Sequence, residues 1–303
     1  MTAGQPAPSS DRQGELHALA GPLRPALHRY CARLMGSVID GEDVVQDTFI
    51  RAFAALPDLD AATPLRPWLF RIAHNRALDL LRGRTLRGAA TLDAVPEIAD
   101  PANPDPLEVM MRQEAVKTAV SRFAQLPLMQ RSVVVLKDVL DESLTDIGAL
   151  LGLSVDAVKG HLARGRARLR EIGAQAGTVP EAPPASAAVT RYVSLFNRRD
   201  WDGLRALLAD DVKLQQSAYP LREGAAEVGM FFSIYEKSAA VWLAPAWLEG
   251  REVIAVFENH ACARPAYVMW LEWQGGRISF IRDYRHVSYM AEDAELVLAP
   301  RAA

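Results

Sequence analysis

The segment LTDIGALLGLSVDAVKGHLARGR, residues 144–166, constrains this chain more than any other. Leu144, Ile147, Leu150 and Leu151 recur at helical spacing. Gly152 stands where a helix can end in a left-handed conformation, and Ser154 is a good cap for a second helix. That second helix keeps Val155, Val158 and Leu162 on one face. It offers Lys159, His161, Arg164, Arg166, Arg168 and Arg170 to solvent. The pattern is a helix-turn-helix. Such a helix fits a DNA major groove, with arginines for phosphates and polar tips for base edges. A hairpin with a merely solvated basic face would not require cap, break and charge to coincide.

With 303 residues the chain has room for about two domains. The formal net charge is only −3, but for nucleic-acid binding clustering matters more than the total. Arg66, Arg71, Arg76, Arg82, Arg84 and Arg87 fall in one segment in which Asp79 is the sole acid. Between Gly88 and Met111 the sign inverts, with Asp93, Glu97, Asp100, Asp105 and Glu108 and no Lys or Arg. Cys31 and Cys262 lie far apart and out of metal-ligand spacing, so neither a disulfide framework nor a zinc site is expected, and no cofactor is. Residues 1–12 lack the apolar core of a signal peptide, and no apolar run is long enough to span a bilayer. The expectation is a reduced, soluble, cytoplasmic protein with no membrane partner.

Residues 1–12 read as a disordered N-terminus and residues 13–87 as all-helical. In the latter, Asp40 is expected to cap a helix with Val45, Phe49, Ala52, Phe53 and Leu56 inward and Glu42, Asp43, Gln46, Asp47 and Arg51 outward. Pro57–Pro67 reads as a loop, with Pro67 suited to a helix's first turn. Residues 88–111 read as an acidic linker, 112–172 as helices ending in the helix-turn-helix, and 173–187 as a second, Pro/Ala-rich linker. Residues 188–290 then give two amphipathic helices, one with Val189, Tyr192, Val193 and Phe196, the other with Leu204, Leu207 and Leu208. Alternating segments follow at 254–257, 267–273 and 277–285, with Gly275-Gly276 as a hairpin turn, an α+β pattern. Residues 291–303 read as a tail.

The segments GEDVVQDTF (41–49) and WLFRIAHNRALDLLR (68–82) resemble region 2 of the extracytoplasmic-function (ECF) group of bacterial sigma factors. The helix-turn-helix, with Leu126-Pro127 and Arg131 ahead of it, resembles region 4 of the same group. Residues 187–290 are similar to a SnoaL-like domain of the nuclear-transport-factor-2 (NTF2) fold, on helix–strand order and the Gly-Gly hairpin. The implied architecture is multidomain: two all-α sigma domains, a region 2 helical bundle and a region 4 helix-turn-helix, followed by an α+β NTF2-like cone. The resemblance implies a non-enzymatic sigma factor that binds RNA polymerase core and directs promoter recognition and transcription initiation. Docking on core, through its β′ and β subunits, falls to Asp43, Gln46, Asp47 and Arg51. The −10 element falls to Arg66, Arg71, His74, Asn75, Arg76 and Arg82, expected on the exposed side of their helix, where phosphates of a single strand are held and an unstacked base is captured. The −35 element falls to Asp156, Ala157, Lys159, Gly160, His161, Arg164 and Arg166. The acidic linker is implied to thread a polymerase channel. The recognition helix departs from the family by Gly160 and Gly165, each costing a helix about 0.5–1 kcal/mol relative to Ala, and by His161 where Arg is common.

In the C-terminal domain Tyr192, Phe196, Trp242, Trp270, Arg282 and Tyr284 form the candidate pocket, with Arg282, Tyr284 and His286 on one strand face and Asp283 and Arg285 on the other. Catalysis, ligand sensing and regulation by contact with the sigma domains are all compatible with that inventory, and a small ligand is left open. Two rivals to the sigma reading stay open on residues alone. One is a one-component helix-turn-helix regulator with a ligand-sensing domain; the other is a small-molecule isomerase or cyclase with an accessory helical module.

Overall fold

The computed structural model describes residues 8–91, 119–174, 182–217, 219–238, 240–294 and 296–300. Most of the expected acidic linker, residues 92–111, and residues 175–181 of the second linker lie outside the described residues. The chain divides into two compact units, one helical and one α+β.

In the helical unit, α1 (Pro8–Met35), α2 (Val38–Ala55) and α3 (Leu65–Thr91) form a three-helix bundle. Helix α1 thus begins inside the stretch read as disordered, and α3 continues to Thr91, past the expected linker start at 88. The cap of α2 is Ser37, whose hydroxyl accepts from the Asp40 amide at 3.2 Å, so Asp40 is not the cap. Its carboxylate instead takes the Arg84 guanidinium of α3 at 2.8 Å. Gly41 permits the α1–α2 approach: a Cβ there would lie 2.5 Å from the Ala32 nitrogen. Next come α4 (Ala119–Phe123), α5 (Leu128–Val134) and a π-helical turn over Val135–Val139. Helices α6 (Leu144–Leu151) and α7 (Val155–Ala174) follow as the helix-turn-helix.

One hydrophobic core runs through the whole helical unit. Leu27, Tyr30, Leu34, Phe49, Leu69 and Phe70 share it with Val133–Leu136, Ile147 and Val158. Two close contacts fix this union. Gly36, at φ 74°, is so near α4 that a Cβ would lie 2.6 Å from the Ala124 Cβ. The buried Arg131 guanidinium of α5 donates to the carbonyls of Leu34, Ala124 and Leu126, tying α1 to the helices that precede the helix-turn-helix.

The α+β unit opens with α8 (Ala187–Asn197), capped by Ser186, and the short α9 (Trp201–Arg205), capped by Asp200. A seven-stranded sheet follows, in the order β2-β1-β6-β5-β4-β3-β7. Its strands are β1 (Leu208–Gln216), β2 (Arg222–Glu223), β3 (Trp242–Leu248), β4 (Arg251–Phe257), β5 (Tyr267–Gln274), β6 (Arg277–Asp283) and β7 (Leu296–Leu298). Among the described residues only the β1–β6 pairing is parallel. Helices α10 (Ala225–Gly229) and α11 (Phe232–Glu236) lie between β2 and β3, and α12 (Tyr289–Asp293) precedes β7. Leu207 and Leu208 belong to the entry of β1 rather than to a second amphipathic helix, and residues 296–298 are a strand rather than a tail. One sheet face packs Leu214, Leu243, Val256, Met269, Leu271 and Ile281 against Tyr192, Phe196, Phe232 and Tyr235 from the helices.

Candidate nucleic-acid interface

The turn between α6 and α7 is built by local chemistry. Gly152 ends α6 at φ 69°, and the Leu153 amide returns to the Gly148 carbonyl at 2.9 Å. Gly148 is needed for that closure, since a Cβ would lie 2.7 Å from the Leu153 oxygen. Ser154 caps α7, accepting from the Ala157 amide at 3.2 Å. Val158, Leu162, Gly165 and Ile172 are buried, whereas Val155, read as inward, is exposed in the first turn of the helix. Gly165 is the contact with α5: a Cβ would meet Val134 Cγ2 at 2.6 Å. The glycine at 165 is therefore a packing requirement.

Of the residues expected at −35, Asp156, Lys159, Arg164 and Arg166 are exposed, and Ala157, Gly160 and His161 are half-buried. Lys159 pairs with Asp156 at 3.2 Å. Both Arg166 donors, Nε and Nη2, reach the Asp138 carboxylate at 2.9 and 2.5 Å, and this carboxylate raises the guanidinium's pKa. Gly160 leaves room for the Arg164 guanidinium, which would stand 3.3 Å from a Cβ there. Among the described residues the buried Nδ1 of His161 has no partner.

Helix α3 carries the residues expected at −10. Arg71, Asn75 and Arg82 are exposed. Arg66 pairs with Glu142 at the start of the helix-turn-helix and lies 5.5 Å from the Phe70 ring centroid. Arg71 Nη2 donates to the Ala149 carbonyl of α6 at 3.4 Å. Arg82 has Asp79 as a neighbour at 3.5 Å. His74 corrects the expectation of an exposed set: it is buried, with Nδ1 2.8 Å from the Tyr30 hydroxyl. A fully buried phenol needs a partner, and His74 supplies it from across the bundle. Burial, and then the charge of Arg82, hold the imidazole below its usual pKa.

On α2, Asp43, Gln46 and Asp47 are half-buried and Arg51 is exposed beside the exposed Ile50. Glu42, read as outward, is instead fully buried and paired with Arg24. Arg76 of α3 donates to Asp47 at 2.6 Å, joining a residue expected at −10 to one expected in core docking. A cleft of about 510 Å³ lined by Arg51, Trp68, Asn75 and Arg76 runs between the two helices.

In the α+β unit the six candidate pocket residues do not converge. Tyr192 and Phe196 are buried on the helix-covered face of the sheet. Trp270 and Arg282, partners across β5–β6, lie on the opposite face, and Trp242 stacks on Phe257 with centroids 4.2 Å apart. Strand β6 ends at Asp283, so Tyr284 lies beyond it, under the Arg282 guanidinium at 5.5 Å. Asp283, on the face not chosen from sequence, is the buried polar centre. It accepts from Gln216 Nε2 at 2.7 Å and from the Arg285 amide at 3.0 Å, and burial pushes its carboxyl up to about 6. The Tyr235 and Tyr267 hydroxyls are 2.7 Å apart beneath the Arg285 guanidinium, and the buried Tyr192 hydroxyl has no partner among the described residues. One residue of alternation separates the two faces, and the register Met269–Asp283 decides it.

Two family descriptions match this chain: Sigma-70 region 2 over residues 19–87 and Sigma-70 region 4 over 117–169. The ECF RNA polymerase sigma factor SigG of Mycobacterium tuberculosis is 31% identical over 238 residues, covering 70% of this chain and 64% of SigG. The chain thus spans just under two thirds of that relative's length. The RNA polymerase sigma factor CnrH of Cupriavidus metallidurans is 41% identical over 137 residues, covering 43% of this chain and 71% of CnrH. The solved structure of the M. tuberculosis extracytoplasmic function sigma factor SigJ is 22% identical and covers 90% of this chain and 95% of SigJ, with a TM-score of 0.35. The chain belongs to the ECF family of RNA polymerase sigma factors.

Proposed function

We propose that this chain is a sigma factor that binds RNA polymerase core, recognises promoter DNA and initiates transcription without catalysing a reaction of its own. The observation that carries the reading is the pairing, in one helical unit, of a region 2 bundle with a capped helix-turn-helix whose second helix exposes Lys159, Arg164, Arg166, Arg168 and Arg170. Docking on core is assigned to the α2 face around Asp43, Gln46, Asp47 and Arg51. The −10 contacts are assigned to Arg66, Arg71, Asn75, Arg76 and Arg82, with His74 acting from inside by holding Tyr30. The −35 contacts are assigned to Asp156, Ala157, Lys159, Gly160, His161, Arg164 and Arg166. The α+β unit is assigned a modulating role. Its mild acidity, 16 Asp and Glu against 13 Lys and Arg after Ala176, suits a partner rich in arginine such as the DNA-binding faces. The test is run-off transcription by core polymerase with the full chain and with a chain ended near Ala176. A change in output on truncation supports modulation; equal output refutes it.

A further inference from the structure

A cavity of about 250 Å³ lies inside the helical unit, along the seam between α3 and the helix-turn-helix. Its walls come from both sides: Arg66, Pro67 and Phe70 from α3, and Leu136, Glu142, Asp146, Ile147 and Leu150 from the π turn through α6. The floor is apolar, made by Phe70, Leu136, Ile147 and Leu150. The rim carries one cation, Arg66, and two carboxylates, Glu142 and Asp146. Arg66 is committed to Glu142 and to the Phe70 ring. Asp146 accepts the Ser143 hydroxyl on Oδ2, and Oδ1 has no partner among the described residues. The rim therefore has one carboxylate in excess over an apolar floor, and the volume of about 250 Å³ is just below the range of about 300–1,000 Å³ that holds drug-sized ligands, so it suits a smaller molecule.

We propose that this seam cavity binds a small amphiphilic amine, with its apolar body on Phe70, Ile147 and Leu150 and its ammonium on Asp146. Occupancy requires both walls, so the ligand binds only while α3 and the helix-turn-helix are together, and it favours that state in proportion to its occupancy. In that state Arg66 and Arg71 are engaged by Glu142 and the Ala149 carbonyl. Resting on the sigma-factor reading, the amine is then a negative effector, because it holds two −10 arginines on protein rather than on DNA.

The test is calorimetric titration of the full chain, alone, with 4-phenylbutylamine, 4-phenylbutanol and 4-phenylbutanoate. The amine is expected to saturate one site and to bind at least tenfold more tightly than the carboxylate. Asp146→Asn, at an exposed position, should weaken the amine about tenfold and leave the alcohol unchanged. Leu150→Phe should fill the cavity and remove binding of all three. No saturable binding, equal affinity for amine and carboxylate, or amine affinity unchanged in Asp146→Asn overturns the proposal. No polymerase or DNA is present, so a failure here leaves the sigma-factor reading standing. A failure of transcription would likewise leave a positive titration standing.

Discussion

Two glycines in the second helix of the helix-turn-helix, α7, should respond to alanine with opposite signs. At Gly165 the added methyl would stand 2.6 Å from Val134 Cγ2, 3.3 Å from the Gln130 carbonyl and 3.4 Å from the Gln130 Cβ. Val134 is buried, and the carbonyl is part of α5, so neither can retreat without moving the helix. Overpacking of this kind costs about 1–3 kcal/mol. Helix propensity returns about 0.5–1 kcal/mol, leaving Gly165→Ala destabilised by about 1 kcal/mol at the middle of those ranges and by about 2.5 kcal/mol at most. At Gly160 the nearest atom is the tip of the flexible Arg164 side chain at 3.3 Å, which can swing away. Gly160→Ala should therefore gain most of its propensity term, about 0.5 kcal/mol. The assay is urea denaturation of the full chain followed by circular dichroism at 222 nm. A Gly165→Ala variant as stable as Gly160→Ala would refute the claim that Gly165 is kept for the α5–α7 contact.

Four further outcomes follow from particular contacts. Arg131→Met should lose about 3 kcal/mol or more, since three backbone carbonyls lose a charged donor worth about 1.5–3 kcal/mol each and Arg131 is buried; chemical denaturation reads this, and wild-type stability would contradict it. Asp283 has its folded pKa raised above its unfolded value. The contribution of Asp283 to the stability of the unit should therefore be fully present below about pH 4 and be lost as pH rises through about 6, and Asp283→Asn should remove that component of the pH dependence. Melting followed by tryptophan fluorescence checks this, because five of the six tryptophans lie after residue 200. Asp47→Lys should weaken affinity for core polymerase in a titration while costing little stability, because its pair with Arg76 is half-exposed. His161→Ala should lower discrimination at one −35 position by about 1–3 kcal/mol in a base-substitution series; an unchanged series would place His161 off the bases.

What the sequence made legible was chemistry closed within a few residues. Gly152 and Ser154 announce the helix-turn-helix because a left-handed stop and a hydroxyl cap act on amides next to them. What it hid depends on distant partners. His74 looks like a surface histidine until Tyr30, 44 residues earlier, is seen to need it. Asp40 looks like a cap because Ser37, three residues before it, lies among apolar and small residues. Strand β1 is masked by the exposed Asp210, Asp211 and Lys213, and β3 by Pro245. That proline is tolerated because it stands at the end of the β3–β7 ladder, where its carbonyl still accepts from the Ala299 amide at 2.9 Å. The candidate pocket was sought among aromatic residues and Arg282, whereas the buried centre is the Asp283 carboxylate. Strand alternation defines two faces, but only the pairing with β5 says which one the helices cover.

The most direct test is run-off transcription from a genomic promoter library by purified core polymerase, with and without this chain. The account predicts transcripts from a distinct promoter set that appear only when the chain is present, and that are lost when Lys159 and Arg164 are both changed to alanine. Transcripts identical with and without the chain, under conditions where it binds core, would contradict it.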